Sequence, residues 1–100
     1  MKIIQKFTDK DGTEFELWDS VWQHIQDIHH EMNTFETLTN VLRQPDFIVQ
    51  SSWEKTSVLY YRKEGRYYKT VVVALNEKRI KTAFTTHKIK QGEVIWKKNG

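Results

Sequence analysis

Three of the four histidines, His24, His29 and His30, lie close together in the chain, and imidazole is the side chain that ordinarily trades protons near neutral pH. At helical spacing His29 falls inside an apolar stripe, His24 sits on its flank near Asp27 and Glu31, and His30 points away. A carboxylate three or four positions away can orient an imidazole, which suits His24 to general acid or base work. His29 is open to two readings, a packed core histidine or a second proton-transfer group, and His30 reads as solvated. Metal chemistry is not expected. His29 and His30 point apart on a helix, no HExxH spacing occurs and the chain has no Cys. No GxGxxG, GxxxxGK[ST] or GxSxG is present either, so neither a nucleotide cofactor nor α/β-hydrolase chemistry is expected.

The second half of the chain supplies cations, hydroxyls and aromatic rings. Tyr60-Tyr61-Arg62, Arg66-Tyr67-Tyr68-Lys69, Lys81-Thr82-Ala83-Phe84-Thr85-Thr86 and Lys88-Ile89-Lys90 set basic groups beside π faces, a composition that holds phosphates and stacks bases. With a period of two, Tyr60 and Arg62 share one side, as do Thr82, Phe84 and Thr86, while Lys81, Ala83 and Thr85 take the other. The same residues are also good strand formers with solvated charges. Residues 1 to 50 hold four Lys/Arg against nine Asp/Glu, and residues 51 to 100 hold twelve against four, so a net charge of +3 divides into −5 and +8. One face suited to a polyanion follows from that division.

These residues must be positioned by few elements, because 100 residues fill a single domain, expected here over residues 1 to 100. Two short alternating segments around Asp11-Gly12 read as a hairpin. Val21, Trp22, Ile25, Ile28, His29 and Met32 recur at spacings of three and four, predicting a helix from about Val21 to Met32 with a Ser20/Gln23 capping box. Asn33 with Glu36 opens a second helix that carries Phe35, Leu38, Val41 and Leu42 and stops before Pro45. From Phe47 onward short strands alternate with short turns. The expected fold class is α+β: an N-terminal hairpin and two helices packed on a C-terminal antiparallel meander sheet of four to five strands. No segment has the apolar length of a membrane span or a signal peptide, and a cytoplasmic location is expected.

In order, Trp22-Gln23-His24-Ile25 running to His29-His30-Glu31-Met32, then Leu42 with Pro45-Asp46-Phe47-Ile48, Tyr60-Tyr61-Arg62, Val71-Val72-Val73, Ile80-Lys81-Thr82-Ala83-Phe84 and Lys90-Gln91-Gly92-Glu93-Val94-Ile95-Trp96 resemble the phage-type nucleases of the barnase, EndoU, colicin and RelE superfamily. The resemblance implies metal-independent RNA cleavage, often as a toxin or effector. It places the family's helix motif on His24, Ile25, His29 and Glu31, implying a catalytic role for His24 and His29. Its strand arginine falls on Arg62, implying a phosphate contact, and its T-A-[YF] motif on Thr82, Ala83 and Phe84, with Thr85 the next hydroxyl. Ile28 stands where the family commonly has a basic residue and His30 where it commonly has proline, which implies a lost phosphate contact and a helix that runs on.

RNA carries its own nucleophile, the 2′-OH, so cleavage needs only a base, an acid and a cation. The expected function is therefore a small metal-independent ribonuclease without cofactors. Its expected catalytic residues are His24, His29, Arg62, Thr82 and Thr85, and its substrate contacts Lys81, Lys88, Lys90 and Tyr60. Expected partners are tRNA or mRNA and a neutralising antitoxin or immunity protein, with no membrane. A catalytically silent RNA-binding module and a protein-interaction module are the alternatives.

Overall fold

The structure, a computed structural model, describes residues 2–89 and 92–99. Its α+β class follows the sequence, but its sheet does not. Seven strands form one mixed sheet in the order β1-β2-β6-β5-β4-β3-β7, where β1 is Ile3–Thr8, β2 Glu14–Trp18, β3 Phe47–Ser51, β4 Ser57–Glu64, β5 Tyr67–Ala74, β6 Arg79–Thr86 and β7 Gly92–Lys97. The expected four- to five-stranded antiparallel meander is thus corrected in two places.

At one end the hairpin β1–β2 joins the sheet itself. β2 runs parallel to β6 through the single pair Glu16↔Arg79, supported by the Glu16 N–H on the Lys78 carbonyl and by Arg79 lying over the Trp18 ring. At the other end β7 pairs with β3, not with β6. Six residue steps from Thr86 to Gly92 reach about 20 Å, enough for the chain to cross the sheet. Ile89 on that crossing packs onto Val49, Leu59 and Tyr61. Gly92 is where the chain lands. A Cβ there would overlap the Gln50 carbonyl oxygen, so only glycine lets β7 approach β3 this closely.

The two helices lie on one face of the sheet. α1 (Asp19–Ile28) packs on β6 and β2, and α2 (Phe35–Arg43) on β1, β4 and β5. Between helices and sheet lies the main core, with Phe15, Leu17, Ile25, Met32, Leu38, Leu42, Val71 and Ile80 fully buried. The opposite face carries a smaller cluster of Val49, Leu59 and Tyr61 with Phe47, Tyr68, Val72 and Phe84 around it. We call this the open face.

α1 is shorter than its apolar spacing predicts. His29 leaves helical geometry (φ −118°, ψ 64°) and a 3₁₀ turn follows over His30–Met32. A helix running through to Met32 would have put Ile28 and Met32 on one stripe; instead Met32 is fully buried and Ile28 is 60% exposed. Two gains oppose continuation: the turn swings Met32 into the core and brings Glu31 within hydrogen-bond reach of β6. The caps also differ from expectation. Asp19 begins α1, its carboxylate accepting the N–H groups of Lys2 and Ser20, and Thr34 caps α2 by accepting from the Thr37 N–H at 3.1 Å.

Candidate active site at the edge of the open face

Because β2 touches β6 only at Glu16↔Arg79, the outer edge of β6 beyond that pair has no strand beside it. α1 and the 3₁₀ turn cover it. Glu31 Oε1 accepts both the Thr85 backbone N–H (3.2 Å) and the Thr85 hydroxyl (2.7 Å), blunting an edge that would otherwise pair with another chain. Burial pushes the Glu31 carboxyl up, but its own backbone N–H, both Thr85 donors and the neighbouring His29 outweigh this and hold it below the usual 4.5. A carboxylate lowered on folding contributes stability above its unfolded pKa and loses it as pH falls through the folded one. Exchange protection of the Thr85 amide is therefore expected to stay constant at neutral pH and to fall on acidification below about 4.5. Protection that persists unchanged under acid would show that Glu31 does not hold this edge.

That tether sets the histidines. The His24 and His29 ring centroids are 5.4 Å apart at an interplanar angle of 69°, and His29 lies 6.1 Å from the ring of Phe84, which belongs to the open face. His24 is exposed and His29 half-buried. The acids flanking His24 in sequence are engaged elsewhere, Asp27 with Gln23 (2.9 Å) and Glu31 with Thr85. What adjoins His24 is His29, an arrangement in which one imidazole can accept a proton while the other gives one.

Thr82 and Phe84 share the open face, as their spacing predicts, but Lys81 does not take the opposite side. The β5–β6 register shifts between Val72↔Thr82 and Val73↔Ile80, so Lys81 is an extra residue in β6. The bulge turns Lys81 onto the open face, where its ammonium meets Glu54 and the Ser57 hydroxyl. It also lets Ile80 and Ala83 both face the main core.

Further along the open face, Lys63 and Lys97 border Phe47 and Tyr68 around a cavity of about 320 Å³, with the Lys97 ammonium 5.9 Å from the Phe47 ring centre. Lys88 is exposed on the crossing, its backbone N–H and carbonyl both bonded to the Thr86 hydroxyl. Lys90 lies outside the described residues.

Two expected site residues stand apart from the histidines. Tyr60 faces the main core, where its hydroxyl donates to Asp9 Oδ2 at 2.6 Å. Burial first, and the Asp9 carboxylate second, push its pKa up, so it stays a protonated structural donor with no open ring face for a base. Arg62 shares that helix-covered side. It donates from Nη1 to the Gln44 carbonyl at 2.8 Å, capping α2, and lies 3.7 Å from Glu64. The register Arg62↔Lys69↔Thr85 puts Arg62 two strands from Thr85, about 10 Å. Its fork serves the helix end, and Thr85 serves the tether.

Three further open-face residues, Lys63, Lys97 and Trp53, carry no motif or spacing that singles them out. Only composition marks the last, a tryptophan inside a polar turn, Ser51-Ser52-Trp53-Glu54-Lys55-Thr56. Among the described residues no group of three His, Asp or Glu side chains converges as a metal set would, and no helix is long and apolar enough to cross a membrane. Comparison with protein-family models, with curated proteins and with solved structures finds no match.

Proposed function

We propose that this chain is a metal-independent endoribonuclease, related to the barnase, EndoU, colicin and RelE superfamily that its motif order resembles. The observation that carries the reading is the His24–His29 pair, 5.4 Å apart at the border of a lysine-lined aromatic face. One imidazole takes the proton of the 2′-OH, the freed oxygen attacks the adjacent phosphorus, and the other imidazole protonates the departing 5′-oxygen. The products are a 2′,3′-cyclic phosphate and a 5′-OH, and the two imidazoles have exchanged protonation states. Glu31 and Thr85 position the turn that carries His29. Lysines of the open face, Lys63, Lys88 and Lys97, supply the positive field for the phosphates, while the Lys81 charge is met by Glu54. Arg62 has no part in this scheme, which departs from the role implied by the family's strand arginine.

The substrate class is cytoplasmic tRNA or mRNA, and a neutralising antitoxin or immunity protein would act by covering the open face. The test is a gel of bulk tRNA, rRNA and mRNA after incubation with the purified chain in excess EDTA. Discrete shortening of at least one class supports the reading. Retarded but intact RNA identifies a silent binding module, and no retardation even at low salt leaves a protein-interaction module.

A further inference from the structure

The open face holds a cavity of about 390 Å³ that includes Leu59, Val72 and Phe84 in its lining and is bordered by Trp53, Lys81 and Thr82. Trp53 is 86% exposed, the most exposed large hydrophobic side chain described. The turn that carries it is ordered: the Trp53 and Glu54 N–H groups both donate to Ser51 Oγ (3.1 and 3.2 Å), and the Gln50 side chain donates to the Lys55 carbonyl across the same turn (2.7 Å). An indole kept in water on an ordered turn is a stacking surface whose backbone needs no further ordering when a ring settles on it.

Thr82 Oγ1 is buried and has no hydrogen-bond partner. Buried hydroxyls are ordinarily paired, so a turn of the Thr82 side chain about χ1 toward the hollow would give this one a bond that the protein itself leaves unmade. The bulge in β6 adds Lys81 to the same wall, where it pairs with Glu54, while Ser57 Oγ donates to Glu54 Oε2 at 2.7 Å. The hollow thus combines a flat aromatic border, an apolar floor, and a rim bearing both a donor and an acceptor. That combination fits a heteroaromatic ring with polar edges.

We propose that this hollow is a nucleobase subsite, in which one base of a single-stranded RNA stacks on Trp53 over the Leu59–Val72–Phe84 floor and bonds Thr82 Oγ1 with its edge. The assignment to RNA rests on the ribonuclease reading, but binding needs no turnover. Phe84 joins the two regions. It lines the hollow and lies 6.1 Å from the His29 ring, so a nucleotide seated there brings its phosphodiester toward the histidine pair.

The test titrates the whole chain with four uncleavable 2′-O-methyl tetranucleotides, one for each base, each carrying a 5′-fluorescein whose anisotropy reports binding in parent and variants alike. At least one is expected to bind saturably and to quench the parent's tryptophan emission, and Trp53→Ala, at an exposed position that does not support the core, is expected to weaken binding about 5- to 150-fold, the range of one base stacked on one aromatic ring. Thr82→Val keeps the side-chain shape and is expected to change the ranking of the four bases. Unquenched parent emission, or Trp53→Ala binding all four with parental affinity, overturns the subsite. If Trp53-dependent binding occurs but bulk RNA stays intact, the subsite stands and the ribonuclease reading falls. If RNA is cleaved while Trp53→Ala binds as the parent does, the reverse holds.

Discussion

His24→Ala is expected to slow RNA cleavage about 10²- to 10⁴-fold, the usual contribution of a positioned proton donor or acceptor, while leaving the fold intact. The second half follows from exposure: His24 is on the solvent side of α1, and truncating it uncovers no core residue. His29 is half-buried against Phe84, so alanine there would mix lost packing with lost proton transfer. His29→Asn retains a polar planar group at the position without an acid or base, and its rate is expected to drop over the same range. In the proposed mechanism the two rings act as one unit, so the double variant should be little slower than the slower single one. Single-turnover cleavage rates alongside thermal melts decide it. Parental rates in folded His24→Ala would remove the histidine pair from the mechanism.

The largest stability effect is expected at Asp9, far from the histidines. This carboxylate is 4% exposed, accepting the Asp11 and Thr13 N–H groups on Oδ1 (2.9 Å each) and the Tyr60 hydroxyl on Oδ2. It closes the β1–β2 turn and ties it to β4. Asp9→Ala leaves three donors without that acceptor, one of them on a buried tyrosine, and should cost about 3 kcal/mol. Tyr60→Phe removes one bond and leaves Oδ2 desolvated, at about 2 kcal/mol. The double variant should be less destabilised than the sum by more than about 0.5 kcal/mol, since the two share one interaction. Denaturant unfolding measures this. Cleavage by folded Tyr60→Phe should match the parent, whereas a selective loss of activity would return Tyr60 to the substrate.

The strands were legible because their period and turns are local properties. Phe47–Ser51, Ser57–Glu64, Tyr67–Ala74 and Arg79–Thr86 stand nearly where the alternation puts them, each ended by a polar or glycine-containing turn. What the sequence concealed was long-range. No local signal says that β2 will lie parallel to β6 through one residue pair, or that the chain after Thr86 will cross the open face to pair with β3. Helical periodicity also carried α1 through His29, since Met32 fits the stripe; only the contacts of Glu31 and Met32 with the rest of the fold break it there.

The same limit applies to the site. Spacing put His24 and His29 in one segment, but it coupled His24 to the acids nearest in sequence, which the fold gives to Gln23 and Thr85. Period two grouped Tyr60 with Arg62 correctly, yet could not say that their shared side faces the helices. A single bulge then moved Lys81 to the face opposite the one its parity predicts.

In the proposed mechanism the 2′-OH of RNA is the nucleophile and the histidine pair moves its proton. This is tested most directly by one short RNA and its counterpart carrying a single 2′-deoxy nucleotide at the scissile position, both incubated with the chain in EDTA and analysed by mass for their new ends. A 2′,3′-cyclic phosphate and a 5′-OH are expected from the all-ribose strand, with no cleavage at the substituted position. Cleavage of the 2′-deoxy strand at that position, or activity lost in EDTA and restored by a divalent cation, would contradict it.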